Sequence, residues 1–378
     1  MEYQRYLAAR TERIRPGRQT SVNLPGLINM GSGTPDFEPP DFVFEAMRKA
    51  VDERQIQYTL WAGTTELREA IAVKLERENR FTVDPEREIL VTSGAQEALM
   101  SIFMALLDPG DEIITPAPFY GVYGEVAHIL GASLVPVETT VESDFTVTAD
   151  AVRAAITPRT KALVLVSPNN PTGTVLPEET LREMAELALE HNLLVISDEI
   201  YEHYVFGSHR HVSLATLPGM RERTISIYSL SKGYALTGLR VGYVVAPAPL
   251  IEAVLPFHHA MTICASTVAQ SGAVAALREP RDWFDPILAE YDRRRRLWMT
   301  MLDGLGLVYG EPQGAYYVAF DVSPTGLSSA EFSKRMREEA GVILGSAGAN
   351  LMRGSLMQAS PQFEEGLERI GGFVKSLR

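Results

Sequence analysis

Short runs of aliphatic and β-branched residues alternate with longer amphipathic stretches from about residue 65 onward. The longer stretches have the helical period, and Pro177–Glu190 begins with a proline and has a charged outer face, as helices often do. Strands and helices in alternation predict an α/β fold with a mostly parallel, seven-stranded sheet covered on both faces. The predicted strands are Glu88–Thr92, Glu112–Thr115, Ser133–Val137, Ala162–Ser167, Leu193–Ser197, Thr224–Tyr228 and Val241–Val245.

The pattern changes after about residue 280. A long helical stretch, Trp283–Leu302, precedes a strand-like run, Ala315–Phe320, a second helix, Ser328–Ala340, and a closing helix from Gln362. We therefore predict a large domain over residues 41–280 and a smaller α+β domain over residues 281–378. Residues 1–40 are predicted to form an N-terminal arm and part of that small domain.

Charge and cysteine content narrow the classes of protein that fit. The 378 residues include 35 basic and 48 acidic side chains, and the net charge of −13 disfavours binding to nucleic acid or an anionic membrane. The single cysteine, Cys264, excludes an intrachain disulfide and favours a reducing compartment, the cytoplasm. Met1–Thr20 has no apolar core, so we expect no signal peptide. Thr262–Leu277 is too short and polar to span a membrane, and it predicts a buried helix packed through small residues.

Two other features are given structural interpretations. The run Arg293–Arg296 points in four directions around a helix, which predicts a solvated helix with ion pairs to Glu290 and Asp292 rather than a nucleic-acid patch. We predict no metal site from three histidines, because they lack a metal-binding spacing: His203, His209 and His211.

Polar segments follow the predicted strands at the sheet edge where ligands bind in α/β proteins. The first, Tyr228–Arg240, places Lys232 among Ser229, Ser231 and Arg240. A lysine can form a Schiff base with a cofactor aldehyde, and hydroxyl and guanidinium groups bind phosphate. This pattern indicates a phosphate-bearing aldehyde cofactor, although a surface loop with a solvated lysine is the alternative.

The second segment places Asp198 at the end of an apolar strand, with Tyr201 three residues later. A carboxylate there is costly unless it meets a cation or a donor, and a protonated pyridine nitrogen is such a partner. A helix-capping aspartate is the alternative. In Ser167–Gly173, two prolines and a glycine hold Asn170 rigidly, and Thr92–Leu99 runs from a strand into a helix whose free N–H groups favour an anion.

Taken together, these segments resemble those of a known family, the fold-type I aminotransferases that use pyridoxal 5′-phosphate (PLP), in the class I/II aspartate aminotransferase superfamily. Any one motif is weak, but here seven occur in the family's order across most of the chain. They are GxPDF at Gly33–Phe37, YT…G at Tyr58–Gly63, SGAQ at Ser93–Gln96, PxY at Pro118–Tyr120, NNPTG at Asn169–Gly173, DxxY at Asp198–Tyr201 and SLSK…R at Ser229–Arg240.

The resemblance implies a role for each matching residue. Lys232 would hold PLP as an internal aldimine and move the proton between the substrate α-carbon and the cofactor. Asp198 would face the pyridine nitrogen, Tyr201 and Asn170 would donate to the 3′ oxygen, and Tyr120 would stack on the ring. Tyr58 would reach the phosphate in the neighbouring subunit, which implies a homodimer with shared sites. The implied phosphate cup comprises Gly94, Ala95, Gln96, Ser229, Ser231 and Arg240.

The substrate end departs from the family pattern. Arg353 resembles the arginine that binds the substrate α-carboxylate, and the backbone of Gly33 and the side chain of Asn170 would lie beside it. The stretch around Arg353 is shorter than usual and has Gly354 where an aliphatic residue is normal, so a structural or exposed arginine is the alternative. Gln96 stands where aspartate-selective relatives often have lysine, which disfavours a dicarboxylate. Four aromatic residues are expected to line a side-chain pocket, with core packing as the alternative for the first three: Trp61, Tyr58, Phe37 and Tyr120.

The resemblance therefore predicts a cytoplasmic, homodimeric, PLP-dependent aminotransferase that moves an amino group from an amino acid to a 2-oxo acid by a ping-pong cycle. Two rivals share its fold. One is a PLP-dependent C–S β-lyase, which would release pyruvate and ammonia without an oxo-acid acceptor. The other is a ligand sensor of the kind found in some bacterial regulators, which carry a DNA-binding module ahead of this domain. Only about 30 residues precede Gly33 in this sequence, which disfavours the sensor.

Overall fold

The computed structural model describes residues 6–12 and 26–377. Its helices are α1 (Asp41–Asp52), α2 (Thr65–Lys74), α3 (Ala95–Leu106), α4 (Val122–Ile129), α5 (Ala149–Ala155), α6 (Glu178–Glu190), α7 (Leu230–Gly233), α8 (Ala248–Thr262), α9 (Thr267–Arg278), α10 (Asp285–Leu305), α11 (Ser329–Arg335) and α12 (Gln362–Ser376). Its strands are β1 (Ile28–Asn29), β2 (Ile89–Thr92), β3 (Glu112–Ala117), β4 (Ser133–Glu138), β5 (Thr160–Val166), β6 (Leu194–Asp198), β7 (Thr224–Ser229), β8 (Gly242–Val245), β9 (Tyr317–Asp321), β10 (Val342–Ile343), β11 (Gly345–Ser346) and β12 (Leu351–Ser355).

The large sheet confirms the predicted α/β fold. Seven strands of the described chain pair in the order β2-β8-β7-β6-β5-β3-β4. The neighbours from β7 to β4 are parallel, whereas β8 runs antiparallel to both β2 and β7. Each predicted strand corresponds to one of these seven.

Both faces of the large sheet are covered, because successive side chains along each strand point to opposite sides. In β5, Val164 packs toward α3, α4 and α8, whereas Leu163 and Leu165 pack toward α5 and α6. Helices α1, α2 and α9 cover the remaining strands on that second side. The predicted small-residue helix is α9, where Gly272 lies so close to Met47 that a Cβ would be 2.9 Å from its Cγ.

A second hydrophobic core lies among α10, α11, α12, β9 and β12, with Trp298, Phe320 and Phe363 completely buried. Strand β1 pairs in parallel with β10, which joins the segment before residue 30 to the C-terminal part of the chain. The domain boundaries at residues 40 and 280 stay predictions. Residues 1–5, 13–25 and 378 of the predicted arm and C-terminal domain lie outside the described residues.

The predicted solvated arginine helix is only partly correct. The ion pairs to Glu290 and Asp292 are present in α10. Arg294 and Arg295 are nevertheless buried, with exposed fractions of 6% and 7%. Arg294 pairs with Asp36 as well, and its guanidinium lies over aromatic rings of the second core, so the arginine's long stem and planar head pack inside. No helix in the described ranges is both long enough and apolar enough to cross a membrane.

Candidate active site

A cavity of about 360 Å³ opens at the carboxyl edge of the large sheet, a volume typical of a small-molecule site. The strands β3, β5, β6 and β7 are parallel, so the segments that follow them meet at this edge. Of the fourteen predicted site residues, Gly94 and Tyr58 do not line the cavity. The other twelve do: Gly33, Ala95, Gln96, Tyr120, Asn170, Asp198, Tyr201, Ser229, Ser231, Lys232, Arg240 and Arg353.

One end of the cavity is a site for an anion. Gly94 precedes the first residue of α3 and has a φ of 86°, and a Cβ there would lie 2.5 Å from Nη2 of Arg240. The side-chain-free backbone therefore lets the guanidinium approach the helix N-terminus. Ala95 begins α3, so its N–H group has no partner within the helix. With the hydroxyls of Ser229 and Ser231, these groups offer the donors that a phosphate accepts.

Asp198 is the last residue of β6 and is 5% exposed. Tyr123 donates a 2.5 Å hydrogen bond to its Oδ2, and the backbone N–H of Ile200 donates to its Oδ1. Burial raises the pKa of Asp198 to about 6, against the opposing effect of these hydrogen bonds. A carboxylate in this position favours a cationic partner in the cavity. Our sequence analysis missed Tyr123, although its place three residues after Tyr120 was a usable signal.

Lys232 lies in α7, directly after β7, and its Nζ donates a 2.8 Å hydrogen bond to the carbonyl of Gly33. Burial, together with the nearby charges of Arg240 and Arg353, lowers the pKa of Lys232 to about 8, although Asp198 acts in the opposite direction. A larger fraction of the amine is therefore unprotonated at neutral pH than in an exposed lysine. The hydroxyl of Tyr204 donates to the Lys232 carbonyl at 2.9 Å and so fixes the backbone that carries the amine.

The opposite end of the cavity contains Arg353, on β12. Its Nη1 donates to Oδ1 of Asn170 at 3.0 Å, and its Nη2 donates to the carbonyl of Gly31 at 3.1 Å. The guanidinium lies 4.4 Å from the ring centre of Tyr317. Its Nε is buried and finds no hydrogen-bond partner among the described residues. Arg353 lines the cavity, and a guanidinium with a buried N–H group that lacks a partner is suited to an anionic ligand.

Hydroxyl contacts of tyrosines link residues along the cavity. Asn170 donates to the Tyr201 hydroxyl at 3.4 Å, and that hydroxyl lies 3.5 Å from the hydroxyl of Tyr317. Tyr120 is 39% exposed and packs edge-on against Tyr123. The sequence analysis missed Tyr317, which carries no motif and reaches the cavity only because β9 pairs with β12.

The predicted aromatic pocket is not assembled as a unit. Phe37 packs in the second core against Trp283 and Phe284. Trp61 is half exposed and lies on the ring of His259, with centroids 4.0 Å apart. Tyr58 is 78% exposed and lines no part of the cavity. Of the four aromatic residues, Tyr120 lines the cavity.

A carboxylate-rich cluster on the other side of β6 is a candidate metal centre by composition. Ligand atoms of Glu199, Glu202 and His211 lie within 4.8 Å of one another. The Nζ of buried Lys74 is 2.5 Å from Glu202, and Glu199 accepts hydrogen bonds from Ser213 and other neighbours. A protein cation therefore already pairs with one carboxylate of the cluster, and hydroxyl donors satisfy the other.

Comparison with known proteins decides the family. Residues 25–356 match the family model "Aminotransferase class I and II". The chain is 38% identical to aspartate aminotransferase of Pyrococcus abyssi, over 94% of each chain. It is 35% identical to aromatic-amino-acid aminotransferase 2 of Thermococcus litoralis, over 98% of each chain. The structure of aspartate aminotransferase from Thermus thermophilus with maleate superposes with a TM-score of 0.91 at 36% identity, over 97% of this chain and 99% of that one.

The chain belongs to the class I and II aminotransferases. It is a PLP-dependent transferase of fold type I that moves amino groups between amino acids and 2-oxo acids. The resemblance inferred from the sequence motifs and the predicted fold are thereby confirmed. Nothing in these similarities favours the C–S β-lyase.

Proposed function

We propose that this aminotransferase binds PLP and the donor amino acid in the single cavity that joins Lys232, Asp198 and Arg353. The observation that carries the proposal is this juxtaposition: an anion site and a buried carboxylate at one end, a lysine with a lowered pKa in the middle, and an unpaired guanidinium N–H at the other end. Each feature is suited to bind one chemical group of the cofactor or of the substrate.

The residues present fit the cofactor. The first turn of α3, Arg240 and the two serines would hold the phosphate, and buried Asp198 would pair with the protonated pyridine nitrogen. Tyr201 and Asn170 would bind the 3′ oxygen, and Tyr120 would cover the ring. When bound, PLP withdraws electrons from the substrate α-carbon and so makes its proton removable.

Lys232 would then move that proton. At neutral pH, a larger fraction of an amine whose pKa lies near 8 is unprotonated and able to accept a proton from carbon, whereas an exposed lysine is almost fully protonated. The tether between Tyr204 and the Lys232 carbonyl fixes the backbone, so the amine moves only by rotation of its own side chain. The same residue would also be the point of covalent attachment of the cofactor.

Arg353 would bind the substrate α-carboxylate. Its two contacts, to Asn170 and Gly31, hold the guanidinium plane while Nε remains available. Gly345 lies opposite Arg353 in the strand pair, and a Cβ there would come within 3.0 Å of Nε. The absence of that Cβ leaves room beside the guanidinium. Arg353 is thus built into the site, which favours the anchor over an exposed arginine.

The active enzyme is proposed to be a homodimer in the cytoplasm. A segment without regular structure between α1 and α2 exposes Ile56, Tyr58, Leu60 and Trp61, by 50–78%. Apolar side chains clustered on one exposed segment favour contact with another protein surface. A second copy would cover them and would bring Tyr58 toward the neighbouring phosphate site. The single cysteine supports the reducing compartment.

An absorbance screen tests the proposed site. Purified protein loaded with PLP is mixed with single amino acids, including aspartate and aromatic donors, and the visible cofactor band is followed. We expect the band to disappear with a good donor and to return when a 2-oxo acid is added. Release of ammonia and pyruvate from a cysteine conjugate, without an acceptor, would contradict transfer as the main reaction.

Subunit complementation tests the shared site. Tyr58→Ala and Lys232→Ala proteins are each expected to be nearly inactive, and mixing them after reversible dissociation should give hybrid dimers with one intact site. Random pairing should restore about a quarter of the wild-type activity, because half of the dimers are hybrids. Absence of any recovery, with hybrids detected by native mass spectrometry, would contradict the contribution of Tyr58 across the interface.

A further inference from the structure

The carbonyl oxygen of Gly33 accepts hydrogen bonds from two side chains in the described chain. Lys232 donates to it from Nζ at 2.8 Å, and Tyr316 donates from its hydroxyl at 2.9 Å. A carbonyl oxygen has two lone pairs, so the two donors can be accommodated together. The hydroxyl of Tyr316 is thereby coupled to the lysine amine through one shared acceptor.

Tyr316 is fixed in place by its surroundings. It is completely buried, and its ring packs edge-on against Tyr201 and Tyr204 at centroid distances of 5.2 and 5.1 Å. Burial raises the pKa of Tyr316 well above that of an ordinary tyrosine, and neighbouring Tyr317 and Tyr201 add to this effect. The hydroxyl therefore stays protonated at neutral pH and serves as a hydrogen-bond donor.

Gly33, by contrast, has little local support. It lies between β1 and α1 in a segment without helix or strand, so no ladder of backbone hydrogen bonds orients its carbonyl. The side that faces Tyr317 is closely packed, since a Cβ on Gly33 would be 2.7 Å from that hydroxyl. The direction of the carbonyl thus depends on its two side-chain donors. Whenever Lys232 is engaged elsewhere, Tyr316 is the donor that remains.

We propose that Tyr316 is a positioning residue for Lys232, because its hydroxyl holds the Gly33 carbonyl where the lysine amine docks each time substrate displaces it from the cofactor. The docked amine then begins every proton transfer from the same place, between Gly33 and the substrate α-carbon. The inference depends on the proposed role of Lys232. It adds a residue that touches neither substrate nor cofactor and that acts through a backbone carbonyl.

Tyr316→Phe tests the proposal, because it removes the hydroxyl and keeps the packed ring. In the first half-reaction, followed as loss of the visible band at saturating donor, we expect the rate constant to fall about three- to tenfold, the effect of one lost hydrogen bond. The dissociation constants for PLP and for the donor should change less than about twofold. An α-deuterated donor should slow the variant at least as much as it slows the wild type, since the impaired step is proton transfer.

A second measurement uses the protein without cofactor. Lysines are reductively methylated with ¹³C-formaldehyde, and the Lys232 signal is identified by its loss in Lys232→Ala. We expect this signal to shift in Tyr316→Phe and to be unchanged in Tyr309→Phe, a matched change at a tyrosine whose hydroxyl contacts Asp303 at the surface.

Other outcomes would overturn the inference. A smaller isotope effect, an unmoved Lys232 signal, or an equal loss of rate in Tyr309→Phe would each show that the hydroxyl does not position the amine. A fall in PLP affinity and thermal stability with an unchanged rate constant would assign Tyr316 a structural role. If Lys232→Ala kept the cofactor covalently bound, the proposed site itself would fail, which is a result distinct from all of these.

Discussion

The two ends of the cavity are constructed in different ways. At the proposed cofactor end, Asp198 and Ser229 are the last residues of strands of one sheet, and Gly94 lies two residues after a third strand of that sheet. At the substrate end, Arg353 contacts Gly31, 322 positions away, and Asn170, 183 positions away. The first end follows from local chain geometry at strand ends. The second exists only when three distant segments pack together, so we expect a change there to affect substrate binding more than cofactor binding.

Lys232 belongs to both ends, and its loss is expected to have the largest effect. Its backbone follows β7, whereas its amine reaches Gly33 on the substrate side. Lys232→Ala should lower the transamination rate by about 10³-fold, because the proposed proton carrier and the proposed attachment point for PLP would both be lost. The rate and the reducible covalent link to PLP are the measurements. A variant that kept both would show that the two ends do not meet at this lysine.

Asp198 is expected to make the free energy of unfolding depend on pH. Its pKa is about 6 in the fold and 3.8 for an ordinary aspartate, so in cofactor-free protein its contribution favours folding below pH 4 and is lost as pH rises to about 6. Asp198→Asn removes that loss. The difference between the free energy of unfolding of Asp198→Asn and that of the wild type should therefore change in favour of the variant between pH 4 and pH 7, by about 2–3 kcal/mol. Urea unfolding at several pH values measures this, and a difference independent of pH would contradict it.

A change at Arg353 is expected to affect substrate binding without affecting PLP binding. Arg353→Ala should lower kcat/KM for the amino acid about 10- to 100-fold, because a charge-assisted contact to the carboxylate is lost. The dissociation constant for PLP should stay unchanged. Arg296→Ala is the control, since that arginine is exposed and pairs with Asp292 on the same helix. Equal losses of PLP and substrate affinity would mean that the ends are not independent.

Substitutions at two glycines, one at each end of the cavity, test whether the ends act independently. Gly94→Ala adds a Cβ against Arg240 and should raise the PLP dissociation constant about fivefold, the effect of roughly 1 kcal/mol of strain or displacement. Gly33→Ala adds a Cβ against Tyr317 and should raise KM for the amino acid instead. Gly110→Ala controls for backbone strain, because it also has a positive φ but open space around it. If both cavity variants affected the same constant, the comparison between the ends would be wrong.

The meeting of Lys232, Asp198 and Ser229 at one cavity was predictable from the sequence because the signals are local. A lysine between serines after a strand, a carboxylate ending a strand and a glycine before a helix each keep their meaning wherever the strand lies in the sheet. Tyr123 and Tyr317 were missed for the opposite reason. Tyr123, in the first turn of α4, contacts Asp198, which lies 75 positions later in the chain, and Tyr317 depends on the pairing of β9 with β12.

The sequence by itself determined the seven strands, because period, turn residues and strand-end polarity are properties of neighbouring residues. The class of chemistry followed from the resemblance of its ordered motifs to those of a known family. Only the tertiary structure decided that Arg353 keeps a buried, unpaired N–H, that two of the four arginines in α10 lie inside, and that Tyr316 shares an acceptor with Lys232. Burial and pairing depend on segments hundreds of residues apart, and no local pattern records them.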